Sequence, residues 1–126
     1  MSEKNKNIVK EINEAFARGD SDTFLTHCKE NVTWEIVGEK KTRGKAAVRE
    51  WMSSMEDLGP PTFTVDKVVA DENSVVCFGE MRMKNKEGAL EPYAFVDFYE
   101  FDGEQISDLR SFLVKHKHEG AKEKAA

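Results

Sequence analysis

The chain has 126 residues, 39% apolar and 34% charged, with a net charge of −5. That length suits one domain with a real core. No apolar run approaches a membrane span, and without a dense basic patch, nucleic-acid binding through phosphate contacts is not expected. The first seven residues lead into a mixed-charge helix and lack the apolar core of a signal peptide, so a cytosolic (cytoplasmic) location is expected. Cys28 and Cys77 lie far apart in apolar contexts and read as reduced core thiols. The clustered His and acidic ligands of a metal site are missing, and no metal or other cofactor is expected.

The first predicted element is a helix with Ile8, Val9, Ile12, Ala15 and Phe16 on one stripe. Gly19 stops it, and Asp20 or Ser21 caps a short second helix presenting Phe24, Leu25 and Cys28. A strand follows with Val32, Trp34 and Ile36 on one side and Thr33 and Glu35 on the other. After a polar turn, Val48, Trp51, Met52 and Met55 fall on one face of a third helix, which Gly59-Pro60-Pro61 ends. Four strands are then predicted over residues 62–70, 74–84, 93–101 and 106–114. They are separated by a turn at Asp71-Glu72-Asn73, a hairpin loop over residues 85–88 and a turn at Asp102-Gly103. Residues 1–114 form the domain, and residues 115–126 are expected to be a disordered charged tail, with Lys115 to His118 a solvated strand end.

This order predicts an α+β fold: a curved antiparallel sheet wrapped over three N-terminal helices, with an internal pocket. The strand over 93–101 is apolar on both faces, with Tyr93, Phe95, Tyr99 and Phe101 on one and Ala94, Val96 and Phe98 on the other. A strand apolar on both faces is covered on both. In a domain this small the second cover is expected to be another subunit, giving a homodimer through the sheet face.

Four segments carry a resemblance. They are Ala15-Phe16-Ala17-Arg18-Gly19-Asp20, Asn31-Val32-Thr33-Trp34-Glu35, Arg43-Gly44-Lys45-Ala46-Ala47-Val48, and Tyr99-Glu100-Phe101-Asp102-Gly103-Glu104-Gln105-Ile106. In this order the chain resembles the SnoaL-like and ketosteroid-isomerase-like proteins of the nuclear-transport-factor-two-like superfamily, from about Ile8 to Val114. The resemblance implies a cone-shaped fold with a deep apolar pocket, commonly dimeric. It does not choose a function, because the superfamily hosts enzymes and binding modules alike. The isomerase base position falls on Ile36, and the two oxyanion donors fall near Ile12 and Ala94, all apolar here. The charged set of limonene-epoxide-hydrolase-like members falls near Glu80, Arg82 and Ser111, with its charges inverted and one carboxylate missing.

Glu80 and Arg82 share a strand face and are the candidate catalytic pair if that face lines the pocket. The competing reading has Met81 and Met83 packed inward instead. Trp34, Ile36, Trp51, Phe78, Val96 and Ser111 are expected to line a pocket for a small hydrophobic ligand. His27 has no evident carboxylate partner and reads as a solvated or edge histidine. Asp97 needs a partner, for which Arg110 on the last strand is the candidate, with Asp108 in the same network. The sequence therefore supports ligand binding in an internal pocket, with two alternatives. One is isomerase- or hydrolase-type acid–base chemistry by Glu80 and Arg82. The other is a dimerisation module whose cavity is filled by Trp34, Trp51 and methionines.

Overall fold

The computed structural model describes residues 2–117. Helix α1 (Ser2–Ala17) buries Val9, Ile12 and Ala15, three residues apart along one stripe. The Asp20 carboxylate accepts hydrogen bonds from the backbone N–H groups of Asp22 (3.0 Å) and Thr23 (3.3 Å). Asp20, not Ser21, thus satisfies the free donors at the start of α2 (Asp22–Thr26). Helix α3 (Lys45–Ser54) buries Val48 and passes through a short 3-10 turn, Glu56–Leu58, to Gly59.

Six strands form one curved sheet: β1 (Cys28–Ile36), β2 (Lys40–Arg43), β3 (Thr62–Asp71), β4 (Ser74–Lys84), β5 (Leu90–Asp102) and β6 (Gln105–Lys115). Their order is β2-β1-β6-β5-β4-β3. The α+β class and curved sheet agree with expectation, with two differences. Strand β6 enters beside β1, so that one pair runs parallel within an otherwise antiparallel sheet. The predicted polar turn after β1 contains β2, whose one buried residue is Thr42; with no apolar alternation it left no strand signal.

Residues Val75, Cys77, Gly79 and Met81 of β4 face the helices, as do Phe95, Asp97 and Tyr99 of β5 and Leu109, Ser111 and Leu113 of β6. Helix α1 packs over β3 and β4, and α3 over β1 and β2. The inner face of β5 and β6 therefore lies between the two helices. Around it Phe24, Leu25, Val32, Val48, Tyr99 and Leu109 belong to the closed core.

The edge strand β3 carries a bulge. Its register with β4 steps from Val65↔Gly79 to Lys67↔Phe78, which leaves Asp66 as the extra residue. A Cβ on Gly79 would lie 1.9 Å from the Thr64 carbonyl oxygen, so only glycine admits this approach.

At the other end of the fold, β6 continues through Lys115, and the His116 N–H donates to the Pro92 carbonyl at 3.0 Å. The ordered domain thus extends past residue 114. The rest of the expected disordered tail, residues 118–126, lies outside the described residues. No helix among the described residues is long and apolar enough to cross a membrane.

Candidate functional site

One row of side chains crosses the inner face of the sheet. Val68 pairs with Cys77, Cys77 with Asp97, Asp97 with Ser111, and Ser111 with Ile36. Three of these five are polar or ionisable, and they are adjacent.

The Trp34 indole N–H donates to the Ser111 hydroxyl oxygen at 3.0 Å. An indole can only donate, so the Ser111 hydroxyl uses its own proton toward its other partner, the Asp97 carboxyl. Burial pushes the Asp97 carboxyl from 3.8 up to about 6, against the Ser111 hydrogen bond, which favours the ionised form. Asp97 is surrounded by protein yet keeps part of its surface accessible. Its carboxyl is therefore poised to gain or lose a proton near neutrality.

Tyr99 lies two residues along β5 on the same face and is wholly buried. Its hydroxyl has no hydrogen-bond partner among the described residues. Burial, then the nearby Asp97 charge, raise it well above its ordinary value, so it stays a neutral phenol. Burial and then Asp97 push the Cys77 thiol to about 12, and burial takes Cys28 to about 12 against the lowering charge of Lys45. Both cysteines are free, buried and protonated at neutral pH, which makes them poor nucleophiles. No group of three or more metal-ligating side chains occurs among the described residues.

An aromatic wall closes one side. The Trp34 and Trp51 rings meet edge to face at 5.0 Å, Phe24 lies 5.2 Å from Trp34, and Phe16 stacks on it at 6.4 Å. Trp34, Ile36, Trp51 and Ser111 are thus on the helix side, where the sequence placed the ligand.

Phe78 and Val96 are a correction. They lie on the opposite, outer face, each 37% exposed, because they alternate with the inward Cys77, Phe95 and Asp97. The same alternation puts Glu80 and Arg82 on the outer face, where Glu80 contacts His116 Nε2 at 2.7 Å. Their expected pocket role does not fit this placement.

The expected Asp97–Arg110 pair is likewise corrected. The two residues point to opposite faces, and Arg110 Nε instead meets Asp108 at 3.3 Å. His27 does have a carboxylate neighbour, Glu11 on α1 at 3.1 Å, which sixteen residues of separation hid from the sequence. Asp97 is the inward-facing ionisable residue that the sequence reading assigned to a pair with Arg110 instead. Its position between Phe95 and Tyr99, two residues from each, was the available sign that it faces inward.

The family model for the SnoaL-like domain matches residues 9–109. No curated protein matches the chain in sequence. Among solved structures, the chain is similar to an NTF2-like protein of unknown function from Cytophaga hutchinsonii, with TM-score 0.73 and 24% identity over 86% of this chain and 98% of that one. It is also similar to an LEH-like epoxide hydrolase from M. tuberculosis, with TM-score 0.79 and 16% identity over 89% and 84% of the two chains. An NTF2-like protein of unknown function from Burkholderia pseudomallei gives TM-score 0.79 and 18% identity over 86% and 88%. At these identities the likeness is one of fold.

Proposed function

The chain belongs to the family of SnoaL-like domains, and from that premise we propose that it binds a small, largely apolar organic molecule over the inner face of β5 and β6 and moves a proton on it with Asp97. The observation that carries this reading is the Asp97 carboxyl, raised to about 6 on an apolar inner face and oriented by Ser111, which Trp34 holds in turn. Near neutral pH the carboxyl is mostly ionised, so its role is that of a base toward an acidic C–H or an activated water. A similar shell in M. tuberculosis belongs to an epoxide hydrolase, which supports acid–base chemistry without choosing the reaction. The isomerase-like base position at Ile36 is apolar, but Ile36 pairs with Ser111, and Ser111 with Asp97. In this reading the base has moved two strands along the same row.

The test is hydrogen–deuterium exchange at the α-carbon of a bicyclic ketone such as 2-tetralone, followed by NMR in D2O. The wild-type protein is expected to exceed buffer exchange, with the excess lost as pH falls through about 6. Asp97→Asn is expected to remove about 100-fold or more of any excess, in line with loss of a general base. Equal exchange by a folded Asp97→Asn variant would rule Asp97 out.

We also propose that the outer sheet face associates with a second copy of the chain. Its apolar row of Phe78, Val96 and Phe112 supports this reading.

A further inference from the structure

We propose that a groove between α1 and β3 is a second binding site, for a small hydroxylated monocarboxylate. The groove holds about 420 Å³ and is lined by Lys6, Lys10, Asn13, Glu14 and residues 65–68. That volume falls within the range of small-molecule sites.

Three features of its lining fix the ligand's chemistry. First, Lys6 and Lys10 stand one turn apart on α1, and Lys67 lies across the groove on β3. None of the three forms an ion pair with any described residue, in a chain that is acidic overall. Glu14 and Asp66 also line the groove, which leaves one net positive charge. A single carboxylate balances that charge, whereas a dianion would meet two acids at close quarters.

Second, Asn13 is 93% buried by its 7% exposure, yet its amide is only half used. Its Nδ2 donates to Cys77 Sγ at 3.8 Å, while its carbonyl oxygen has no partner among the described residues. That oxygen is not among the sealed, unpaired atoms of the interior, and Asn13 lines the groove, so in this proposal it faces the ligand. A buried carbonyl accepts a hydrogen bond, so it asks the ligand for a hydroxyl. Third, Val65 and Val68 offer a short apolar surface between these polar points.

The wall on the β3 side is built by the bulge. Because Gly79 has no side chain, the Thr64 carbonyl approaches β4, and the extra residue sets Asp66 and Lys67 in succession on the exposed edge. Bulges often reposition side chains beside binding sites.

The test is NMR titration of the full chain with 3-hydroxyhexanoate, with hexanoate and 1,3-hexanediol as comparison ligands. Amide shifts are expected at Lys6, Lys10, Asn13 and residues 65–68. Affinity should fall about fivefold in the Lys10→Gln/Lys67→Gln variant, as loss of exposed charge pairs gives. It should fall about threefold or more for hexanoate, which lacks the hydroxyl, and binding of the diol should be lost. The outcomes that overturn the proposal are an absence of shifts up to about 10 mM, shifts unchanged in the lysine variant, or shifts confined to the inner face of β5 and β6. The last would leave the proton-transfer reading intact while removing the second site.

Discussion

At the residue scale, Asp97 sets chemical use against stability. In an unfolded chain its carboxyl loses its proton near 3.8, whereas in the fold it holds the proton up to about 6. Between those values the folded state binds more protons than the unfolded state, so Asp97 makes stability fall as pH rises from about 4 to about 6. Above that window the cost is constant, at roughly 3 kcal/mol for a shift of about two pH units. Asp97→Asn keeps an oxygen to accept the Ser111 hydroxyl but carries no charge. The variant should be more stable than wild type by roughly 2–3 kcal/mol near neutral pH, a gain that vanishes below about pH 4. Urea unfolding at the two pH values measures this. A gain of equal size at both would place the effect in packing rather than ionisation. The sequence already contained the parity of Phe95, Asp97 and Tyr99, yet charge pairing pointed to Arg110. The register that sets Asp97 opposite Ser111 is a property of the paired strands and left no local trace in either.

At the element scale, what could be read from the sequence tracked hydrophobic patterning. The strand predicted over 74–84 coincides with β4, and that over 62–70 stops one residue short of β3's end. These strands alternate apolar and polar residues or carry β-branched runs, which is the signal a strand leaves. Strand β2 exposes three of its four residues and left none. The bulge was equally hidden, because Gly79 reads as one more weak strand position until the Thr64 carbonyl is seen against it. A methyl group there would collide with backbone, which cannot swing aside as a side chain can. Gly79→Ala is therefore expected to cost about 2–4 kcal/mol, at the upper end of overpacking penalties. Denaturant unfolding measures it, and a loss within about 0.5 kcal/mol, typical of a neutral surface site, would show that β3 can pair without this contact.

At the scale of the whole molecule, the two sheet faces divide the work. The inner face is flanked by helices and carries the ionisable row; the outer face carries an apolar stripe that no described residue covers. Phe78, Val96 and Phe112 sit side by side on β4, β5 and β6, with Val114 and Ala94 in the next row and Val76 and Phe98 in the row on the other side. Phe112 is 40% exposed and Val114 66%. Both signs of charge border the stripe, with Glu80, Arg82 and His116 beyond one end and Arg110 beyond the other. A surface that is apolar at its centre and mixed in charge at its rim is complementary to itself, which is what a two-fold symmetric interface requires. Large contiguous apolar patches are uncommon on monomers, which supports the proposed second copy as its occupant. Val96 lies at the centre of the stripe, where a partner would remove most water and truncation or charge would be felt most. The wild-type chain is expected to sediment as a dimer at micromolar concentration. Val96→Glu should raise the dimer dissociation constant by about 100-fold or more, since it buries an unpaired carboxylate in the interface while leaving the monomer's solvent-facing surface unstrained. Sedimentation velocity with circular dichroism separates the outcomes. A folded, monomeric Val96→Glu beside a dimeric wild type is the expected pair, and a monomeric wild type would sink the interface.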